Sequence, residues 1–140
     1  QNGFLPGDIG VLVTSKYMIG TITAVLNAEQ IRAEPKYSSK IEPDDPAWSN
    51  SVKVMTIHSA KGLEFPAVLL VGIDEVKSPG VAADREERMK SERFARVNLV
   101  GPTRAKDLLF LLAAKENEYI KRVKENSSEL EMHQWPEDYR

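Results

Sequence analysis

Apolar and polar positions fall into alternating blocks along the chain. Residues 8–14, DIGVLVT, are a short apolar run between Gly7 and Ser15, the pattern of a buried strand. Met18, Ile22, Val25 and Leu26 then recur at steps of four, three and one, which predicts one apolar face on a helix from Tyr17 to Glu29. A second strand is expected over residues 31–37. In the stretch SSKIEPDDPAWSNS, Pro43 and Pro46 disfavour both helix and central strand, so residues 38–51 read as a surface connection. Val52 to Ile57 is rich in β-formers, Ser59 to Glu64 reads as a turn, and Ala67 to Gly72 is another apolar run. DREERMKSERFARVNLVG predicts a helix opened by a capping box, Asp84 with Glu87 three residues on, carrying Phe94, Val97 and Val100 near its end. DLLFLLAA is expected to be a further buried strand. KENEYIKRVKEN predicts a final amphipathic helix with Tyr119, Ile120 and Val123 inward, and residues 127–140 form a polar tail.

Strand and helix patterns that alternate, with strands apolar throughout, predict an α/β fold with a mostly parallel sheet covered on both faces. The 140 residues fit one domain, and 41% apolar with 29% charged residues excludes wholesale disorder. A formal charge of -2 rules out a wholly basic nucleic-acid binder and leaves room for a local basic patch. Asp84 to Lys106 is such a region, with seven Lys or Arg against four Asp or Glu. Without cysteine there is no disulfide framework and no thiolate metal site. His58 and His133 stand too far apart for a local zinc motif, and no metal site is expected. No apolar run approaches the roughly 20 residues of a membrane span, so no membrane partner is expected and a cytoplasmic setting is. The chain opens on Gln1 rather than methionine, which suggests a part of something larger.

Three places invite a chemical reading. LLVGIDE ends an apolar strand in Asp74 and Glu75, an imitation of a magnesium-holding acidic pair. Such a pair needs a phosphate-cradling loop closing in Gly-Lys-Ser/Thr, and none of the eight glycines is followed by lysine. The chain therefore has no P-loop of its own. TIHSAKGLEF, by contrast, packs a hydroxyl, an imidazole, a lysine, a glycine and a carboxylate between two strands. These groups suit phosphates, sugars and nucleic-acid backbone, although a polar loop ending at Gly62 is the plainer alternative. In VGPTRAK, Arg104 stands between small Thr103 and Ala105 where helix gives way to strand. Uncrowded, it could grip a phosphate with two parallel hydrogen bonds, or be a simple surface arginine. Ser59 beside His58 does not make a hydrolase triad, since neighbours in a strand-like stretch point apart and no G-x-S-x-G turn exists.

Together these residues resemble the second motor domain of UvrD/Rep-type superfamily-one DNA helicases. VKVMTIHSAKGLEFPAVLLVG is similar to the family's fifth motif almost position for position, and VNLVGPTRAKDLLFL to its sixth, whose core reads Val-Gly-x-Thr-Arg-Ala. DIGVLVTSKYMIGTITAVLNAEQI resembles the fourth-motif region through its strand-helix pattern. The likeness runs from about Asp8 to Ala113.

The resemblance implies a RecA-like domain over residues 1–126, working with an N-terminal P-loop domain of the same protein and with ATP and Mg2+ in the cleft between them. The magnesium would be held by that other domain. Arg104 would reach the γ-phosphate as the catalytic arginine, Glu64 would lie against the ribose, and Gly62 would permit close backbone approach. Thr56 and His58 would face single-stranded DNA, while Lys61 and Thr103 would couple the two sites. The isolated domain is expected to be inactive. Two departures stand out: Gly20 occupies the place of a fourth-motif arginine that also contacts the γ-phosphate, with Lys16 four residues earlier, and Pro102 replaces an aliphatic residue of the sixth motif. The accessory insertion between the fourth and fifth motifs is absent as well. A degenerate, non-catalytic module for DNA or protein binding is the competing reading.

Overall fold

The computed structural model describes residues 3–37, 46–75, 84–86, 88–89, 101–126, 128, 131 and 133. Five strands, β1 (Ile9–Val13), β2 (Ala33–Lys36), β3 (Val52–Thr56), β4 (Phe65–Val71) and β5 (Ala105–Leu112), form one sheet in the order β2-β3-β1-β4-β5. All four pairings are parallel. The expected α/β class is thus met, with β1 at the centre, where an uninterrupted apolar run is buried on both faces.

Successive residues of β1 point to opposite faces. Val11 and Val13 join Val52, Val54 and Ile19 in one core cluster, beneath helix α1 (Tyr17–Ala28). Leu12 joins Met55, Phe65, Val68 and Leu70 in the other, against Ile57 and Ala60 and against Tyr119 and Ile120 of helix α2 (Glu118–Asn126). Asn117 caps α2, accepting the Ile120 N–H at 3.0 Å, and ties it to the sheet by donating to the Ile73 carbonyl at 2.8 Å. At the other end of α1, Gln30 takes a left-handed φ of 63°. Asn27 then bonds both the N–H and the carbonyl of Ala33, aiming the chain into β2.

Two expectations need correction. Val25 is an exposed residue, and Ile19 takes the buried place on α1. At 100° per residue Ile19, Ile22 and Leu26 bracket the sheet-facing direction, whereas Val25 lies at its rim. The strand around DLLFLLAA forms but is not buried, with Leu108 45% and Phe110 51% exposed. Among the described residues β5 has β4 as its single strand neighbour. An apolar run specifies a strand but not its place in the order. Most of the helix expected from Asp84, including Phe94, Val97 and Val100, lies outside the described residues, as do most of the 127–140 tail and positions 38–45 of the connection.

Candidate functional site

Thr56 closes β3, and the chain then turns across the sheet instead of returning at its edge. The N–H of Ala60 bonds the Thr56 carbonyl at 3.1 Å, and that of Leu63 bonds the Ala60 carbonyl at 2.9 Å. The Thr56 hydroxyl starts the turn, accepting the Ser59 N–H at 3.1 Å and donating to the Ser59 hydroxyl at 3.0 Å. Ile57 and Ala60 are buried and Leu63 half-buried, a step of three that suits a helical turn with one apolar side. His58, Lys61, Gly62 and Glu64 are left exposed. Gly62 has φ 84° and open space where a side chain would be, among the described residues.

This segment joins opposite ends of the sheet. Val13 pairs with both Thr56 and Val71, so Thr56 is level with the last residue of β4. Glu64 precedes Phe65, the first residue of β4. Six strand residues separate these levels, about 20 Å at roughly 3.3 Å per residue. Thr56 and His58 therefore stand at the carboxyl ends of the strands, and Gly62 and Glu64 at the amino ends.

Arg104 arrives at the amino ends as well. Phe65 pairs with Ala105, which places Glu64 and Arg104 immediately before neighbouring strands. A short 3-10 turn, Gly101–Arg104, delivers the arginine. Pro102 fits there because the first N–H groups of such a turn have no internal partner to lose. Arg104 is half-buried, its Nη2 donates to the Thr103 hydroxyl at 3.2 Å, and its Nε is buried with no hydrogen-bond partner among the described residues. Lys106, two residues into the same segment, sets its Nζ 3.5 Å from Glu64 Oε2. Sequence reasoning passed over Lys106, although the alternation of a strand starting at Ala105 is the feature that could have found it.

The structure does not bring Gly20 to this group. Gly20 lies in the first turn of α1, which begins beyond the carboxyl end of β1, and Met18 Sδ reaches to 3.2 Å from the Cβ position of Gly72, just past β4. The level of Gly20 is about 19 Å from that of Arg104 along the strands, seven strand rises less three helix rises. Lys16, with its Nζ 5.7 Å from the centre of the Tyr17 ring, is at that far end too. Among the described residues no group of three or more His, Asp or Glu could hold a metal ion, and no helix is long and apolar enough to cross a membrane.

The sequence model of the UvrD-like helicase C-terminal domain matches residues 14–116. The ATP-dependent DNA helicase PcrA of Staphylococcus epidermidis is 37% identical over 98 residues, 68% of this chain and 13% of that protein. DNA helicase II of Escherichia coli is 45% identical over 69 residues, 49% of this chain and 9% of that protein. The chain thus spans about an eighth or less of the length of these relatives. With the matched region covering β3, the turn after it, β4, Arg104 and β5, the chain belongs to the UvrD-like helicase C-terminal domain family.

Proposed function

We propose that the chain is the second motor domain of an ATP-driven DNA helicase or translocase, closing on an N-terminal P-loop domain of the same protein. Residues 1–126 form the motor unit and 127–140 a tail. The observation that carries this reading is the shared placement of Glu64 and Arg104 before two paired strands, at one end of a segment whose other end holds Thr56 and His58.

The residues suit a nucleotide. Arg104 has a buried Nε with no partner among the described residues, a deficit of about 1–3 kcal/mol that swinging onto an anionic oxygen relieves. A guanidinium gives a phosphate two parallel bonds, and when it comes from a second domain it contributes about 10³–10⁵ in rate. Exposed Glu64, 3.5 Å from Lys106, can accept from ribose hydroxyls, and the side of Gly62 that the described residues leave open admits a sugar close to backbone. ATP with Mg2+, held chiefly by the other domain, supplies the phosphoanhydride whose cleavage drives the cycle. Thr56 and His58 contact single-stranded DNA at the far end, and Lys61 on the connecting turn, with Thr103 beside Arg104, relays closure between the ends. Because Gly20 belongs to the DNA-side end, the lack of an arginine there leaves the phosphate contact of Arg104 untouched.

The test is DNA-stimulated ATP hydrolysis by the complete protein, wild type beside Arg104→Ala. A loss of about 10³-fold or more with nucleotide binding kept is expected. Equal rates would remove Arg104 from the reaction, and slow turnover in both would favour a non-catalytic DNA-binding module. The chain alone should hydrolyse no ATP and should bind single-stranded DNA weakly, in a salt-dependent way.

A further inference from the structure

Lys53 is a lysine inside a sheet. It sits on β3, fully buried, on the face that carries the 57–64 turn. Its Nζ donates to the Trp48 carbonyl at 2.7 Å, the Ser51 carbonyl at 2.9 Å and the Ser51 hydroxyl at 2.6 Å. Glu34 Oε2 is 3.7 Å away, and the centre of the Trp48 ring 4.8 Å. Burial pushes the amine below its ordinary pKa, while Glu34 pulls it back. Three oxygens for three N–H donors is the pattern of an ammonium, so the group is held charged.

What it grips leads to the nucleotide end. The Trp48 ring stacks on Phe65 with centroids 6.2 Å apart and planes at 18°. A Cβ on Gly10 would come within 2.7 Å of the Phe65 ring, and one on Gly7 within 2.4 Å of the Trp48 carbonyl, so the Phe65 ring packs tightly on β1 and the Trp48 backbone on the turn at Gly7. Phe65 follows Glu64 and pairs with Ala105, the residue after Arg104.

We propose that Lys53 is a positioning residue for the nucleotide-facing end: by fixing Trp48 against Phe65 it sets where β4 and β5 begin, and so where Glu64 and Arg104 stand. An apolar residue would fill the same space without anchoring the Trp48 carbonyl, and displacement by about 1 Å is enough to cost about 10²-fold in a positioned reaction. This role rests on the nucleotide reading above.

Two measurements on Lys53→Met separate the role from that reading. In NMR spectra of the full chain, the amides of Phe65 and Ala105 should shift and lose exchange protection while those of Val13 and Thr56 keep theirs. In the complete protein, kcat for DNA-stimulated ATP hydrolysis should fall about 10–100-fold, with DNA affinity unchanged. Trp48→Ala should do the same, and Trp48→Phe, which keeps the stack, should restore most of the rate. Should Lys53→Met fail to fold, the two Trp48 variants decide. Unchanged kcat in folded Lys53→Met or Trp48→Ala, beside an inactive Arg104→Ala, would overturn the positioning role and leave the nucleotide reading standing. If Arg104→Ala is fully active the nucleotide reading fails, and the amide shifts alone then decide whether Lys53 sets these strand starts. A loss of DNA binding equal to the loss of rate would reduce Lys53 to a general stabilising role.

Discussion

Glu64 and Lys106 meet across the starts of β4 and β5, 3.5 Å apart, with more than half of each side chain exposed. A pair this open contributes about 0–1 kcal/mol to stability, so folding does not require it. Lys106→Ala and Glu64→Ala should each leave the thermal midpoint of the chain nearly where it was. In the complete protein, Glu64→Ala should raise KM for ATP more than it lowers kcat, the mark of lost ground-state contact. Steady-state kinetics beside a thermal melt check both, and a Glu64→Ala variant with wild-type KM would remove the ribose role.

Gly10 and Gly62 differ in what an added methyl would meet. At Gly10 it would press into the Phe65 ring at 2.7–2.9 Å, in the middle of the core. At Gly62 it would meet no atom of the described residues within 4 Å and only the strain of φ 84°. Gly10→Ala should therefore cost about 1–3 kcal/mol, the range for overpacking, and shift Phe65. Gly62→Ala should cost about 1–2 kcal/mol from backbone strain alone. Urea melts give the two values, and the same Phe65 displacement in both variants would contradict the distinction.

The parallel sheet was legible because its central strands are apolar on both faces, and periods of three and four exposed α1 and α2. The order of the strands was not, since the pattern of β5 reads the same at an edge as in the middle. Arg104 and Glu64 were legible as residues, but their adjacency depends on the pairing of Phe65 with Ala105, forty residues apart. Lys53 was hidden for another reason. A lysine within an apolar strand reads as a break in the pattern, and its acceptors, Trp48 and Ser51, sit in a proline-bearing stretch that reads as surface.

Glu34 ties the acid sensitivity of the fold to Lys53. Burial alone would raise its carboxyl, but the charges of Lys53 and Lys36 outweigh that and hold it below the ordinary glutamate value. A carboxyl with a depressed folded pKa binds fewer protons folded than unfolded, so its contribution is present above about pH 4.3 and is lost as pH falls through the folded value. Glu34→Gln should flatten the fall of the midpoint between pH 5 and 3, roughly the carboxylate range, while lowering the midpoint at neutral pH. A slope identical to wild type would exclude Glu34 from the acid transition. Glu116 is likewise held low by Lys124, so its contribution has the same sign.

Restoring the missing arginine tests the two-ended layout directly. Gly20 is exposed on α1, and no atom of the described residues outside its own helix lies within 4 Å of its Cβ position. Gly20→Arg should thus be accommodated, and replacing a helical glycine should stabilise the chain by about 0.5–1 kcal/mol. If that position converged with Arg104 on one phosphate, Gly20→Arg would recover part of the turnover lost in Arg104→Ala. The levels of the two residues differ by about 19 Å along the strands, beyond what one guanidinium side chain spans toward a shared oxygen. The double variant should accordingly be as inactive in ATP hydrolysis as Arg104→Ala alone. The added charge should instead strengthen single-stranded DNA binding and steepen its salt dependence by about one counterion, because it stands at the end of the sheet that holds Thr56 and His58. Recovery of hydrolysis in the double variant, with DNA binding unchanged, would move Gly20 to the nucleotide end and overturn that layout.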